Sequence, residues 1–240
     1  MEPIFLTVMT VVLSAILSAE AYKLQCLTRG GALASFATGA TVGILGSVNT
    51  FFLLAIFTVA GFFATMKDFK KKEEAGVQEG SKGERTWKNV LGVGLPPVLI
   101  VLINYIYPLD QTLFAILFIS TITVAGADTI ASEIGVRDPK VYMITTLKPT
   151  VPGVNGGVSK TGTLVSTIAA LLIAILGWFV IMESLDVMLL IPFVAGVVGN
   201  LLDSVFGAVL ENPGYISKYT NNCSTALIGA AFGAVVWTIA

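Results

Sequence analysis

Two carboxylates stand where hydrocarbon should make them costly. Asp128 lies in GADTIASEIG (residues 126–135), followed by Thr129, Ser132 and Glu133; Asp203 lies in GNLLDSVFGAVLEN (199–212). An acid inside an apolar segment is retained when it is paired or when it does chemistry. On a straight helix Asp128 and Ser132 share a face, while Glu133 points about 140° away from Asp128. The two acids share one metal ion only if the helix ends between them, which Gly126 and Gly135 would permit. Otherwise one binds metal and the other pairs with a lysine, or both serve as caps and ion-pair partners. Asp203 belongs to a face of small residues, Gly196, Gly199 and Gly207, spaced by three and four. Small residues let helices approach closely, so Asp203 is expected to face the bundle interior, as a functional group or as a structural hydrogen-bond partner.

A third stretch, VPGVNGGVSKTG (151–162), has the look of a phosphate cradle. It is not a Walker loop, because Ser159 and not glycine precedes Lys160. Its plain reading is a turn between two elements. Its chemical reading is an anion site: Ser159 or Thr161 caps a helix starting near 160, Gly156 and Gly157 let backbone amides approach a ligand, and Lys160 adds charge. Upstream, ITTLKPT (144–150) supplies Thr145, Thr146 and Lys148. Phosphates with Mg²⁺ on one or two carboxylates is the usual construction of a nucleotide site. Asn221 and Asn222, in NPGYISKYTNNCS (212–224), either cap the last helix or contact a polar ligand. The chain has no histidine, so no Ser-His or Cys-His nucleophile can be assembled. Phosphoryl transfer needs positioning, a metal and cations, and a phosphate nucleophile is already ionised near neutral pH.

The elements that must carry these residues are membrane spans. Of 240 residues 55% are hydrophobic and 12% charged, and the mean hydropathy is +0.86, which excludes an ordinary soluble domain. Eight apolar segments approach the roughly 20 residues a spanning helix needs: 4–20, 31–47, 50–66, 88–106, 111–127, 161–182, 187–209 and 223–240. The first has neither a basic leader nor a small-residue cleavage site, and is read as a retained span. The pair at 31–66 is separated only by SVNT. Threading eight spans puts all 14 basic residues at one side, in the loops 21–30, 67–87, 128–160 and 210–222 or, for Lys88, at a span edge. The other side carries only acids, such as Glu2, Asp110, Glu183 and Asp186. The positive-inside rule makes the basic side cytosolic and places both termini on the non-cytosolic side. The expected architecture is an all-α, polytopic, single-domain membrane protein spanning 1–240 with about eight helices and its chemistry at the cytosolic face. The segment KDFKKKEEAGVQEGSKGERTWK (67–88) reads either as a flexible loop that fixes orientation or as a source of cations for the site. Cys26 and Cys223 show no metal spacing, and no disulfide is expected on the cytosolic side.

In that order, GADTIASEIG, ITTLKPTVPGVNGGVSKTG and DSVFGA resemble the membrane family that includes plant phytyl-phosphate kinase and animal transmembrane protein 19. LTRGGALASFATGATVG and GERTWKNVLGVG fit the same pattern, so the resemblance covers roughly 20–230. Two positions depart from it: Ile130 stands where tryptophan is expected, and Val154 where threonine is. The resemblance implies a kinase that converts an isoprenyl monophosphate, phytyl or geranylgeranyl phosphate, to the diphosphate with CTP or another nucleoside triphosphate. It also implies distant similarity to dolichol kinases and to cytidylyltransferases that make CDP-lipids. On this reading Asp128 and Asp203 hold one or two Mg²⁺ ions, with Glu133 a third ligand. Lys160 acts with these acids in catalysis. Asn155, Gly156, Gly157, Ser159 and Lys160 cradle the triphosphate, Thr145, Thr146, Lys148 and Asn222 assist, and Arg29, Lys67, Lys82 and Arg85 take the acceptor phosphate. The expected partners are the isoprenyl phosphate, the nucleotide and membrane lipid, and no nucleic acid.

Two other functions use the same features. A CDP-lipid cytidylyltransferase, or a lipid or polyprenol kinase of another kind, would employ the same acids. A secondary transporter of an anionic solute would also employ broken helices and a glycine turn near a helix N-terminus. Against the transporter, GGALASFATGATVG and GGVSKTGTLVSTIAA share only small residues, and the polar residues collect on one side.

Overall fold

The structure, a computed structural model, describes residues 3–74, 76 and 82–239. Part of the charged loop expected at 67–87 (residues 75 and 77–81), and Glu2, lie outside the described residues. Eight long helices run up and down in sequence order: α1 (Pro3–Lys23), α2 (Arg29–Leu45), α3 (Val48–Met66), α5 (Trp87–Ile106), α6 (Gln111–Gly135), α7 (Lys160–Met182), α8 (Leu190–Phe206) and α9 (Lys218–Ile239). A short helix, α4 (Phe69–Glu74), follows α3. Among the described residues seven segments have the length and composition to cross a membrane, α8 being counted with its flanking turns as Val187–Glu211. The remaining long helix, α2, has 17 residues, the lower limit of the range of about 17–25 for a span. The pair read as nearly continuous at 31–66 is broken at Gly46. Ser47 then caps α3 by accepting from the Thr50 N–H at 3.2 Å, while Thr50 Oγ1 accepts from the Ser47 N–H at 2.8 Å.

α6 is the axis of the bundle. From Ile119 through Ala127 every residue is buried, so this helix is covered on all sides by α3, α5, α7, α8 and α9. Water offers no drive for helix association inside a bilayer, so close backbone approach has to supply it. The α8 glycines do this: a Cβ on Gly196 would lie 2.2 Å from Thr123 Cγ2, and one on Gly199 would lie 2.4 Å from Val124 Cγ2. That contact lays the small-residue face of α8 on the centre of α6 and carries Asp203 toward the C-terminal part of α6.

The end of the bundle formed by the C-termini of α1, α3, α6 and α8 and the N-termini of α2, α5, α7 and α9 bears every lysine and arginine of the chain. A three-stranded antiparallel sheet at this end is the departure from an all-helical reading. It consists of β1 (Val141–Met143), β2 (Pro149–Thr150) and β3 (Gly157–Ser159), in the order β2-β1-β3, with Val141 opposite both Thr150 and Ser159. The charged segment after α3 is not a free loop at its start. α4 buries Lys72, which is 2% exposed, against the C-terminal halves of α3 and α6.

Candidate functional site

The polar site is built around the two acids the sequence singles out. Asp128 on α6 and Asp203 on α8 line one cavity of about 200 Å³ at the basic end of the bundle. Asn155, Gly156, Gly157 and Ser159 close it from the sheet, and Asn222 closes it from α9. Thr225 Oγ1 donates to Asp203 Oδ2 at 3.0 Å. The buried Asn221 amide donates to the Asp203 carbonyl at 3.0 Å and to Glu211 Oε2 at 3.2 Å, tying α9 to α8 across the site.

Glu211 reaches this cavity through an irregularity that the sequence pattern hides. Eight residues of α-helix would leave it about 80° round from Asp203. Gly207–Glu211 forms a π-helical turn, which inserts one residue and returns Glu211 to within about 20° of the Asp203 direction. Gly207 is the seat of the glycine turn, since a Cβ there would lie 3.1 Å from the Gly156 nitrogen and 3.3 Å from Asn155 Cβ. Gly156 has φ +80°, and its own Cβ would meet Ala208 Cβ at 2.6 Å. Asn212 Nδ2 fastens the turn by donating to the Asn155 carbonyl at 3.0 Å. Gly156 thus serves first to dock the turn on the end of α8, whereas Gly157 packs against Val141 and Val154 and Gly162 against Gly135 of α6. The Gly157 N–H is bonded to the Val154 carbonyl at 3.0 Å.

The N-terminus of α7 is capped from within the protein. Ser159 Oγ accepts from the Gly162 N–H at 3.0 Å. Asp138 Oδ2 accepts from the Thr161 hydroxyl at 2.8 Å and from the Thr161 N–H at 3.3 Å. The Lys140 N–H, then the Thr161 hydroxyl, hold the Asp138 carboxyl below the usual carboxylate range. Lys160 is exposed and lines no cavity with the acids. Thr145, Thr146 and Lys148 form the exposed turn between β1 and β2 and likewise stand off the cavity.

Glu133 takes the second of the two courses open to it. α6 is unbroken through Gly135, so Glu133 turns away from Asp128. It borders the cavity, but both its oxygens are engaged: Lys72 Nζ donates to Oε2 at 2.7 Å, while Arg85 at 3.0 Å and the Thr65 hydroxyl at 2.7 Å donate to Oε1. Glu133 is therefore the anchor of a buried ion cluster; Glu211 is a further carboxylate on the cavity wall, and among the described residues no three Asp, Glu, His or Cys side chains are grouped closely enough to hold a metal ion. Of the cations expected at the acceptor phosphate, Arg85 reaches a cavity. Arg29 donates to the Tyr22 hydroxyl at 3.0 Å, and Lys67, the C-cap of α3, and the exposed Lys82 line neither cavity. Lys218, which sequence reasoning counted only as a loop charge, lines the site together with Asn200 of α8. Its one signal in sequence is that it is the lone basic residue of 210–222.

A second cavity, about 370 Å³ and predominantly apolar, lies beside the first. α1, α2, α3 and α5 wall it, with Leu54, Phe57, Val59 and Phe62 among its lining. The two cavities share Asp128, Ser132, Lys218 and Asn222.

A bundle of this length and apolarity, with a polar chamber at its basic end, defines a multi-pass integral membrane protein. The chain belongs to the integral membrane protein family DUF92, which matches residues 12–232. It is 30% identical to Protein PGR of Arabidopsis thaliana over 90% of this chain and 83% of that one. It is 30% identical to the chloroplastic Protein VTE6 of the same plant over 88% of this chain and 64% of that one. An uncharacterized membrane protein of Methanocaldococcus jannaschii is 27% identical over 99% of this chain and 97% of its own. No solved structure matches the chain.

Proposed function

We propose that this protein is a prenyl-phosphate kinase: it moves the terminal phosphoryl group of CTP, or of another nucleoside triphosphate, onto an isoprenyl monophosphate such as phytyl or geranylgeranyl phosphate. The observation that carries the reading is the meeting of the two cavities at Asp128, Ser132, Lys218 and Asn222. A single substrate with a hydrocarbon tail and a phosphate head fits that junction, the tail in the apolar cavity and the head at Lys218. The polyphosphate then comes from the polar side. The motif resemblance described above supports the same reaction, and membership of the family is consistent with it. The excess of lysine and arginine at the site end favours a cytosolic site with both termini on the other side.

The lining also suits a hard divalent cation. Asp128, Asp203, Glu211 and the already paired Glu133 bring four carboxylates to the wall of the polar cavity, no three of them grouped as a metal cluster, and Lys218 is the one cation lining it among the described residues. Such a wall repels a polyphosphate on its own, and oxygen ligands are what Mg²⁺ takes. Asp128 and Asp203 would hold it, and the ion would offset charge on the transferring group. The remaining work is positional. Lys218 and Asn222 orient the acceptor phosphate, and Thr225 and Asn221 fix the Asp203 segment. An acceptor phosphate oxygen forms the new P–O bond to the γ-phosphorus as the bond to the β–γ bridging oxygen breaks. CDP leaves with that electron pair, and the ionised nucleophile needs no base.

The test is a product assay on purified protein in detergent with γ-labelled CTP, Mg²⁺ and geranylgeranyl monophosphate. Label in the prenyl diphosphate with CDP released is the expected result, and Asp203→Asn should lower it by about 10²-fold or more. Label released as pyrophosphate would assign a cytidylyltransferase instead. Asp203→Asn at full activity would remove the centre of the site.

A further inference from the structure

The lining of the apolar cavity follows α3. Its α3 lining runs from Phe63, near the acids, back to Phe51, twelve residues or about 18 Å along the helix axis. At that far end three residues from three helices meet. A Cβ on Gly39 of α2 would lie 2.4 Å from Ser14 Oγ of α1 and 3.5 Å from Phe51 Cε2 of α3. Phe51 is 3% exposed, and its ring stands edge-on to Phe52 at 5.7 Å between centroids. Beyond this layer α1 and α2 close again, because a Cβ on Gly43 would come within 2.4 Å of Thr10 Oγ1. Ser14 Oγ donates to the Phe36 carbonyl at 3.0 Å, so its hydroxyl is satisfied within the protein and does not solicit a polar ligand.

We infer that this cavity is a length gauge for the isoprenyl tail, with the Phe51 ring as its floor and the determinant of the longest chain accepted. The inference rests on the reading of the acceptor as an isoprenyl phosphate. A tail anchored by its phosphate at Lys218 and Asn222 can extend only until it meets Phe51. One further isoprene unit has to displace the ring or leave the head group out of register with Asp128. Ala55 lies one turn nearer the acids on the same helix and also lines the cavity, so bulk added there raises the floor.

The experiment measures binding of farnesyl, geranylgeranyl and five-isoprene monophosphates by native mass spectrometry, for the full chain in detergent, with turnover of the same lipids measured in parallel. The wild type is expected to gain affinity with length up to a limit and to lose it one unit beyond. Phe51→Ala should raise the limit by one isoprene unit, improving the first rejected chain about tenfold, and Ala55→Leu should lower it by one unit. Ala55→Leu carries the test alone if Phe51→Ala does not fold. A limit that neither folded variant moves overturns the inference, as does the absence of any limit or of prenyl-phosphate binding. Gauged binding without turnover would leave the gauge standing and end the kinase reading. Turnover with a length profile that neither variant shifts would do the reverse.

Discussion

The ion cluster of Lys72, Glu133 and Arg85 shows how differently two acids five residues apart can be used. Asp128 opens on both cavities, whereas Glu133, its side chain 8% exposed, is clamped by a lysine side chain that is 2% exposed. Lys72 also donates to the Thr65 carbonyl at 2.6 Å, so one ammonium joins α3, α4 and α6. Removing one member of a buried pair is far costlier than removing both, because the survivor keeps its desolvation penalty. Lys72→Met is therefore expected to destabilise by about 3 kcal/mol, the low end for a broken buried pair, since Arg85 still holds one oxygen. Adding Glu133→Gln should restore part of that loss. Thermal unfolding of the two single variants and the double variant in detergent checks it. Additive losses would show that the pair is not coupled.

At the scale of elements, the site depends on a turn seated on the irregular end of a helix. Gly156 needs its positive φ and also the absence of a Cβ against Ala208. Gly214 has φ +83° with nothing within 4 Å of its missing Cβ. Alanine at Gly214 should cost only the left-handed strain, about 1–2 kcal/mol. Alanine at Gly156 should cost that strain plus roughly 1–3 kcal/mol of overpacking, and should lift the turn from the polar cavity and reduce turnover. Equal losses of stability at the two positions, with turnover intact, would separate the turn from the site. The contrast also marks what could be read in the sequence. Asp128 and Asp203 announced themselves as charges in hydrocarbon, and the small-residue spacing around Asp203 gave its direction. Glu211 did not, because one inserted residue in a π turn shifts the helical phase without any mark in composition. Thr145, Thr146, Lys148 and Lys160, which stand off the polar cavity, drew notice for the opposite reason. Glycines beside lysines look like an anion cradle whichever way the chain folds. Here it folds so that Gly156 packs on the end of α8 and Gly162 on α6, while Asp138 and Ser159 accept from α7 amides that a phosphate would have used.

Across the whole molecule, the spans were legible because each apolar segment is long. Even the short break at Gly46 and Ser47 left two helices that return the chain to the same end. Alternation then places Thr146 at the end that holds the acids and Ser184, between α7 and α8, at the opposite end, both exposed. A nucleotide-dependent site must face the compartment that holds nucleotide, so orientation and function are linked. The two natural cysteines, Cys26 and Cys223, are free thiols and are replaced first by serine. Thr146→Cys or Ser184→Cys is then introduced singly, and oriented membrane vesicles are treated with a membrane-impermeant maleimide. Cysteine at 146 should label only from the cytosolic face and cysteine at 184 only from the other. The reverse pattern would put the carboxylates and Lys218 on the side away from cytosolic nucleotide, and a CTP-dependent kinase could not then work in the cell however well it turned over in detergent. Labelling of both positions from one face would mean an even number of crossings between them. In this chain that would require α7 not to span, against its 23-residue, largely apolar length and its extensive packing on α6.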